Sequence, residues 1–354
     1  MPNEHASLVT ASPAGRRLPP APRVAIVGAT GAVGVELLAC LEARGFPLAG
    51  LRLFASPRSA GRRMAFGEES VAVEALAAGC LADSDLALFS AGSGPSREFA
   101  PAAAAAGTIV VDNSSAFRMD PDVPLVVPEV NEAALALHRG IVANPNCVAI
   151  IAAVPLAPLH AANPIRRIVA ATYQAASGAG AAAMEELRAS TEAYLAGRPY
   201  DPRVLAHPYA FNLFSHDSKV DVETGDNGEE TKVGMELRKI LALPDLRIGV
   251  TCVRVPVLRA HTIAMTVEFD RPITADAARD LLAAAPGVRI VDDRAANRFP
   301  MPRDATGQGD VLVGRLRQDA SDPSGRSLML LVAGDQLLKG AALNAVQIAE
   351  RLLG

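Results

Sequence analysis

Tryptophan is absent from this chain, and aromatic residues of all kinds make up only 4% of it. Proteins that stack the bases of single-stranded nucleic acid depend on aromatic side chains, so the composition argues against that class. A surplus of positive charge is also missing, because 34 basic residues stand against 38 acidic ones and the formal net charge is −4. Without such a surplus the chain has no electrostatic attraction to nucleic acid or anionic lipid. We therefore expect neither nucleic acid nor membrane as a partner.

Cysteine and long hydrophobic runs are scarce as well. The four cysteines are too few for a disulfide framework, and their wide spacing, without a CxxC pair, does not predict a structural metal site. The longest apolar runs, residues 100–111 and 147–159, are too short to span a bilayer. Residues 1–22 contain no apolar segment of the kind found in signal peptides. The expectation is a cytoplasmic protein that holds no metal.

The chain does have enough hydrophobic sequence for a large core. Half of its 354 residues are hydrophobic, and a chain of this length predicts two domains. We expect a disordered tail over residues 1–22, rich in Pro, Ala and Ser, followed by a first domain over residues 23–147. A C-terminal helix within residues 335–354 is predicted to return to this first domain. Residues 148–334 then form the second domain.

The first domain has the pattern of alternating strands and helices. An apolar strand over residues 23–27 leads into a glycine-rich turn at 28–34, and helical composition follows over 35–44. Further apolar strands are predicted at 51–55, 86–90 and 108–112. Segments of helix length separate them, which is typical of βαβ units. The predicted fold class is therefore α/β, with a Rossmann-type, mostly parallel sheet.

From about Ile165 the pattern changes. Strands are predicted at 167–173, 249–255 and 262–269, with long helical stretches at 181–195 and 229–241 between them. The second domain is therefore expected to be mixed α+β. At the C-terminus, residues 335–353 have the spacing of an amphipathic helix.

The glycine-rich turn predicts a dinucleotide site. Gly28, Gly31 and Gly34 lie directly after a strand and before a helix, where glycines let the backbone approach a pyrophosphate that the helix N-terminus stabilises. The alternative is a plain tight turn without a ligand. The candidate cofactor-binding residues here are Gly28, Thr30, Gly31, Ala32, Val33 and Gly34.

The second strand favours NADP over NAD. An NAD enzyme usually has an acidic residue about 20 residues after the turn, but this strand ends in Ser56 and continues into Arg58 and Ser59. A carboxylate would repel a 2′-phosphate, whereas Arg and Ser can hydrogen-bond to it. The alternative is a solvated basic loop. Ser90, Ala91 and Gly92, at the end of the next clear strand, are further candidates for the cofactor site.

Cys147 is the candidate nucleophile. Asn144-Pro145-Asn146 before it form a turn and cap, so Cys147 is predicted at a helix N-terminus, a position that lowers a thiol's pKa and leaves backbone N–H groups for an oxyanion. The alternative is a buried structural cysteine. A nucleophile needs a base, and the candidate is His261. His261 and Arg254 lie on an otherwise apolar, strand-like segment, where polar side chains of this kind suggest a function.

The motifs together resemble the aspartate-β-semialdehyde dehydrogenase family, over almost everything beyond residue 22. The similarity includes the glycine turn, Asn144-Pro-Asn-Cys147 and Arg259-Ala-His261. Further matching stretches are Ala55–Gly61, Asp112–Arg118, Val127–Asn131, Tyr173–Gly178, Glu229–Lys232, Arg254–Val257 and Asp335–Ala342. Two segments depart from the family pattern, the N-terminal extension and the loop 217–228, and we expect neither to touch a motif.

The resemblance implies a role for each matching residue. Cys147 would attack the aldehyde carbon with His261 as acid/base, and Gln174 would orient the substrate. Arg254 would bind the α-carboxylate, where a planar fork suits the ligand, and Glu229 would face the ammonium group. Phosphate would be held by Arg118 and Lys232, with Asn146 or Asn113 nearby, and the nicotinamide half of the cofactor would be contacted by Ser177, Gly178 and Gln336.

The reaction implied by the resemblance is the NADP-dependent reductive dephosphorylation of L-aspartyl 4-phosphate to L-aspartate 4-semialdehyde through a cysteine thioester. It belongs to the biosynthesis of lysine through diaminopimelate, and of methionine, threonine and isoleucine. Members of the family are homodimers whose second, catalytic domain also carries the main dimer interface.

Two other functions are alternatives to this one. N-acetyl-γ-glutamyl-phosphate reductase runs the same chemistry on a longer, acylated substrate, but its members usually have Gly before the Cys and a different His motif. A non-catalytic NADP-binding paralogue would be free to lose Cys147, Arg254 or His261, and this chain has all three.

Overall fold

The computed structural model describes residues 15–354, which divide into two compact units. The first comprises the described residues up to Pro145 together with Ala342–Gly354, and the second is Asn146–Ala341. The boundaries differ in two places from those expected. Cys147 and residues 335–341 lie in the second unit, although the sequence analysis placed them in the first.

The first unit is built on a seven-stranded sheet. Its strands are β1 (Arg23–Val27), β2 (Gly50–Ala55), β3 (Arg63–Phe66), β4 (Glu69–Ala75), β5 (Leu86–Phe89), β6 (Ile109–Asp112) and β7 (Ile141–Ala143). They are ordered β3-β4-β2-β1-β5-β6-β7; β3 and β4 pair antiparallel and the other neighbours pair in parallel. The central strands β5 and β6 are buried at every position, as their continuous apolar sequences predict. The mostly parallel, Rossmann-type sheet is therefore confirmed.

Three helices connect strands of this sheet: α1 (Ala32–Ala43), α2 (Ser93–Ala105) and α3 (Pro128–Asn131). The glycine-rich turn lies between β1 and α1, as predicted. Helix α1 begins three residues before the predicted start at Val35 and is followed by Gly45, whose φ of 58° is left-handed.

The second unit has a mixed sheet with helices around it. Its helices are α4 (Cys147–Ala162), α5 (Ala181–Leu195), α6 (Gly228–Ile240), α7 (Ala275–Ala283) and α8 (Pro302–Ala305). Its strands are β8 (Ile165–Gln174), β9 (Phe214–Ser215), β10 (Arg247–Arg254), β11 (His261–Phe269), β12 (Val288–Ile290), β13 (Val311–Gln318) and β14 (Ser327–Gly334). They are ordered β12-β13-β14-β11-β8-β10-β9. Parallel pairs, such as β8 with β10, stand beside antiparallel ones, such as β8 with β11, so the predicted α+β character is confirmed.

The C-terminal helix α9 (Leu343–Leu352) belongs to the first unit and contacts α1 there, as expected. The predicted start at residue 335 is wrong. The Asp335 carboxylate accepts the N–H groups of Leu337 and Leu338, which turns the chain after β14, and a short π-helical segment (Leu338–Ala342) follows before regular α-helix. Helical composition therefore extends beyond the residues that have helical geometry.

The predicted disordered tail covers residues 1–22, of which 1–14 lie outside the described residues. The remainder is folded, contrary to expectation. Leu18 is only 2% exposed and its backbone bonds to Leu352 and Gly354 beside α9. The imidazole of His138, fully buried, donates through Nε2 to the Arg16 carbonyl while Nδ1 accepts the Gly140 N–H. Burying one leucine contributes about 1.5–3 kcal/mol, which offsets part of the conformational entropy lost when this segment is ordered.

Within residues 15–354, no helix is both long and apolar enough to cross a membrane.

Candidate active site

The carboxyl ends of β1 and β5 bring the glycine-rich turn to the edge where a parallel sheet binds ligands. The two strands pair in parallel with Val27 opposite Phe89, so Gly28 and Ser90, the next residues, lie side by side. Gly28 has a φ of +88°, and a Cβ there would lie 2.4 Å from the Ser90 carbonyl oxygen. Any side chain at this position would push the turn apart, so the glycine is required.

The turn leads into the N-terminus of α1. Gly31 is the N-cap residue, and no side chain of residues 15–354 caps the helix. A Cβ on Gly34 would lie 2.3 Å from the Gly28 carbonyl oxygen, so this glycine allows the helix to start close to the turn. An uncapped helix N-terminus with a tight glycine turn before it suits an anionic group such as a pyrophosphate. Thr30, Ala32 and Val33 lie within this same turn and first helical residues.

The residues expected to select NADP follow β2. Ser56, Arg58 and Ser59 lie in and beside a short 3₁₀ turn, and the Arg58 side chain is exposed. Thr30 Oγ1 donates to Ser59 Oγ over 3.4 Å, which links this turn to the glycine turn. Arg63, a nearby arginine at the start of β3, instead bonds to Ser70 in the β3–β4 hairpin. Arg58 lies within the 3₁₀ turn itself, next to Ser59.

Ser90, Ala91 and Gly92 follow β5 at the same edge. Gly92 has a φ of +86° and is the N-cap residue of α2, which no side chain in the described part of the chain caps. A second uncapped helix N-terminus therefore faces the edge at which β1 ends.

In the second unit, three strand ends bring candidate side chains together. Gln174 and Arg254 are paired partners at the carboxyl ends of the parallel strands β8 and β10, and His261 begins the adjacent strand β11. All three side chains are buried: Gln174 is 1%, Arg254 3% and His261 0% exposed. The residues that the sequence analysis singled out on three separate strands therefore form one cluster.

Cys147 is the first residue of α4, as predicted, and Asn146 is its N-cap. The Asn146 side-chain oxygen accepts the N–H groups of Val148, at 2.8 Å, and Ala149, at 3.3 Å. Such a cap stabilises a helix by about 1 kcal/mol. It also corrects an expectation, because the cap occupies two of the backbone N–H groups that the sequence analysis reserved for an oxyanion.

The segment after β14 fixes the other side of Cys147. A Cβ added to Gly340 would lie 2.9 Å from the Cys147 Cβ and 3.3 Å from its Cα, so only glycine allows this approach. Gly334 packs in the same way on Ile151, one turn further along α4. The start of α4 is therefore held against the backbone of this segment.

His261 is held in its neutral form with a proton on Nε2. Its Nδ1 accepts the Ala175 N–H at 3.0 Å, which leaves the other ring nitrogen as the donor. Burial, followed by the nearby Arg254 and His216, lowers the pKa of His261 well below its ordinary value. Nε2 is buried and has no hydrogen-bond partner among the described residues. An orphaned buried donor of this kind is expected where a substrate atom binds.

Arg254 lies beside this donor. A Cβ on Gly178 would lie 3.0 Å from both His261 Nε2 and Arg254 Nη1, so both groups border the space next to Gly178. Nη1 donates to the Ala175 carbonyl at 3.3 Å, and Nε donates to Asp217 at 2.7 Å. The expectation that the loop 217–228 touches no motif is therefore wrong, because Asp217 forms an ion pair with the predicted carboxylate ligand.

Glu229, on the first turn of α6, connects the remaining candidates. Its Oε1 accepts the Nδ2 of Asn146 at 2.8 Å and the Nε2 of Gln174 at 3.2 Å, and the Lys232 ammonium lies 3.8 Å from Oε2. Burial by itself would raise the pKa of Glu229, but His216, Asn146, Lys232 and Gln174 outweigh it, so the pKa is lowered. Glu229 is therefore a buried, ionised carboxylate.

Arg118, the other predicted phosphate ligand, belongs to the first unit. Its Nε donates to the Asn144 carbonyl at 3.0 Å and its Nη2 to the Asn113 carbonyl at 2.7 Å. Backbone carbonyls thus help to hold the buried guanidinium in place, and a guanidinium is a suitable ligand for an anion.

Ser177 and Gln336, expected near the nicotinamide, bind each other in the second unit. The Gln336 amide nitrogen donates to the Ser177 hydroxyl, and its oxygen accepts the Ala260 N–H at 2.9 Å. Ala260 has a φ of 73°, an unfavourable conformation for a residue with a side chain, and it directly precedes His261. Both side chains are buried, whereas Gly178 is exposed. Gln336 and Ser177 therefore support the strained backbone that presents His261.

Sequence reasoning missed His216, Asp217 and Glu236. The His216 ring is largely buried, with Nδ1 3.8 Å from the Asp217 carboxylate, and burial, then Arg254, lower its pKa. Glu236 accepts the backbone N–H of Asn146 at 2.5 Å. Glu236 could have been identified from the sequence, because it follows Glu229 by seven residues and so lies on the same face of a predicted helix.

No set of three or more His, Cys, Asp or Glu side chains in residues 15–354 is arranged to hold a metal ion. The cluster in the second unit instead combines a thiol, a neutral imidazole donor, a guanidinium, a carboxylate and an ammonium group. Such a set can bind a small zwitterion and react with it covalently.

Comparison with known proteins gives matches over nearly the whole chain. Residues 23–138 match the family model "Semialdehyde dehydrogenase, NAD binding domain", and residues 156–339 match "Semialdehyde dehydrogenase, dimerisation domain". The chain is 54% identical to the aspartate-semialdehyde dehydrogenase of Synechocystis, over 94% of this chain and 97% of that protein. Its structure resembles that of aspartate semialdehyde dehydrogenase II from Vibrio cholerae with a TM-score of 0.90 and 43% identity, over 94% and 98% of the chains. A structure of that enzyme complexed with ASA matches equally well, at 42% identity.

Proposed function

The chain belongs to the aspartate-semialdehyde dehydrogenase family, and on that basis we propose that it reduces L-aspartyl 4-phosphate to L-aspartate 4-semialdehyde and phosphate with NADPH. The reverse reaction is the phosphorylating oxidation of the semialdehyde. The product serves the biosynthesis of lysine through diaminopimelate, and of methionine, threonine and isoleucine. The observation that carries the proposal is the orphaned Nε2 donor of His261 beside Arg254 Nη1, in the unit that presents Cys147 at the start of α4.

The covalent steps follow from the thiol and the imidazole. In the oxidative direction the Cys147 thiolate adds to the aldehyde carbon, and the His261 Nε2–H donates to the oxygen that gains charge. His261 takes the proton back as the carbonyl re-forms, so it acts as acid and then as base. NADP, when bound, accepts the hydride that leaves this carbon. The result is a thioester on Cys147.

The second half of the reaction releases the thioester. A phosphate oxygen attacks the thioester carbonyl, and Cys147 leaves as the thiolate. We assign phosphate binding to Arg118 and Lys232, together with the second Nδ2 hydrogen of Asn146. The carbonyl-held guanidinium of Arg118 and the partly exposed Lys232 ammonium support this assignment.

Recognition of the amino-acid end uses opposite charges. Arg254 binds the α-carboxylate with the part of its guanidinium that borders Gly178, and Asp217 holds its Nε. Glu229 receives the ammonium group, and Gln174, fixed between Thr172 and Glu229, orients the substrate. An ionised buried carboxylate suits a free amine, whereas an N-acetylated substrate brings no charge for it to pair with.

NADP is the proposed cofactor. The Gly28–Gly34 turn and the α1 N-terminus would hold the pyrophosphate, and Arg58 and Ser59 the 2′-phosphate. Ser90, Ala91 and Gly92 lie at the same edge, and the exposed Gly178, supported by Ser177 and Gln336, would lie against the nicotinamide. The absence of an acidic residue at the end of β2 supports NADP over NAD.

A homodimer is proposed as the assembly, because residues 156–339 match a dimerisation-domain model. The half-exposed face of the second sheet, which includes Val169, Thr266, Met329 and Leu331, is the surface we assign to the dimer contact.

Substitution of the thiol tests the proposed chemistry. Cys147→Ala is expected to lower kcat for NADPH formation from aspartate semialdehyde and phosphate by about 10⁴-fold or more, because the thioester cannot form. NADP binding, measured by isothermal titration, should stay unchanged. Cys80→Ala, in the first unit, is the matched control and should keep kcat within about twofold. Residual turnover of Cys147→Ala near the wild-type rate would overturn the proposal.

A further inference from the structure

One carboxylate lies outside the proposed reaction yet touches the residue that holds the nucleophile. Glu236 is only 1% exposed, on the third turn of α6. It follows Glu229 by seven residues, and two helical turns bring residues at this spacing to the same face. Both carboxylates therefore project from one side of α6, and both are buried.

The two carboxylates hold Asn146 from two sides. Glu229 accepts its side-chain Nδ2 at 2.8 Å, and Glu236 accepts its backbone N–H at 2.5 Å. The Asn146 side-chain oxygen caps α4 at the same time. The N-cap residue is thus fixed at its backbone nitrogen and at both ends of its side-chain amide.

Cys147 has little freedom to move in this arrangement. It is covalently next to Asn146, and Gly340 stands so close to its Cβ that even a methyl group there would lie 2.9 Å away. The backbone N–H that Glu236 accepts belongs to the peptide between Pro145 and Asn146, so this bond sets how the chain enters α4. If it is lost, the entry can rotate, and the thiol moves with it.

We propose that Glu236 is a positioning residue for Cys147, which acts through the Asn146 N–H and does not touch substrate or cofactor. The proposal rests on the function proposed above in so far as it assigns Cys147 the nucleophilic role. Whether Glu236 sets the position of the thiol can be measured without turnover.

Two substitutions separate the hydrogen bond from the charge. Glu236→Gln keeps an acceptor oxygen for the Asn146 N–H, whereas Glu236→Met keeps the length of the side chain without the acceptor. Both remove the negative charge and share that cost, so the difference between them reports the loss of the acceptor oxygens, including the one that accepts the Asn146 N–H. Glu186→Met is the matched control, because Glu186 is also a buried carboxylate that accepts backbone N–H groups, those of Arg203, Val204 and Leu205.

The kinetic expectation is a loss in kcat with little change in KM. Glu236→Gln should have a kcat at least about tenfold above that of Glu236→Met, a difference expected from one charge-neutral hydrogen bond, with both KM values for aspartate semialdehyde within about threefold. Glu186→Met should keep kcat within about threefold even where its melting temperature falls. Circular dichroism and NADP titration confirm that each variant is folded.

The second readout is alkylation of Cys147 by iodoacetamide in the enzyme without substrate, with the modified peptide quantified by mass spectrometry. Glu236→Met should react at least about threefold more slowly than Glu236→Gln at the same pH, because the thiol is no longer held at the helix N-terminus that favours its thiolate. Equal alkylation rates in the two variants, or an equal loss of kcat in Glu186→Met, would overturn the positioning role. An alkylation difference without a kcat difference would retain the positioning role and count against Cys147 as the nucleophile.

Discussion

Among single residues, His261 shows how packing selects one chemical form of a side chain. The Ala175 N–H occupies Nδ1, and burial beside the Arg254 cation lowers the pKa of the imidazole, so the ring is neutral with a proton on Nε2. A neutral imidazole can donate to a developing oxyanion without carrying a charge that would have to be desolvated. The carbonyl of the same residue, Ala175, accepts from Arg254, so one residue fixes both groups through its two neighbouring peptide groups.

Arg58 is the residue whose removal tests the cofactor proposal. Arg58→Ala is expected to weaken NADP binding about ten- to a hundredfold, the loss of one charge-assisted hydrogen bond worth about 1.5–3 kcal/mol, while NAD binding changes little. Isothermal titration with each cofactor gives the two constants. Arg62→Ala, an exposed arginine of the same loop, is the control, and equal losses for NADP and NAD in Arg58→Ala would mean that Arg58 has only a structural role.

Strands and helices show which part of the fold could be predicted. Helix α5 was predicted at 181–195, where the structure has it, because apolar residues recur at helical spacing between clear turns. Strands β13 and β14 were not predicted, since short apolar runs such as 327–334 do not distinguish a strand from a buried helix by periodicity. The C-terminal helix was placed too early because the Asp335 bonds that delay it depend on the folded chain.

The residues of the candidate site also include some that could be predicted from the sequence and some that could not. Cys147, Arg254 and His261 could be found because reactive residue types stand out on apolar segments. Asp217 could not, since it lies in a polar loop and its ion pair with Arg254 exists only once that loop returns to β10. Glu236 has an ordinary helical sequence context. Its hydrogen bond with the Asn146 N–H joins residues far apart in the sequence, so no local pattern could predict it.

The exposed face of β8 allows a test of the proposed dimer. Ile168 is 1% exposed and the next residue, Val169, is 42% exposed, so alternate side chains of this strand face outward. Val169→Asp is expected to produce single chains at micromolar concentration in sedimentation experiments, because an unpaired carboxylate in an interface costs about 2–5 kcal/mol. Val222→Asp, at a valine 95% exposed, should leave the dimer intact. If Val169→Asp stayed a dimer while Val222→Asp dissociated, the interface would lie elsewhere than on this face of β8.

The whole molecule combines two units with different tasks. The first has two helix N-termini, uncapped by any side chain of residues 15–354, at the edge of a parallel sheet, and the second has the thiol, the imidazole donor and the charged groups proposed to bind an amino-acid substrate. The glycine-rich turn proposed for the pyrophosphate and the proposed nucleophile Cys147 belong to different units. We therefore expect only the intact chain to stop oxidation at a thioester until phosphate arrives.

A single-turnover experiment tests this claim most directly. Wild-type enzyme is mixed with NADP and aspartate semialdehyde without phosphate, and NADPH absorbance is followed while the peptide containing Cys147 is analysed by mass spectrometry. We expect a burst of about one NADPH per chain, an aspartyl thioester on Cys147, and renewed turnover when phosphate is added. Continued NADPH formation without phosphate, or a burst that leaves Cys147 unmodified, would contradict it.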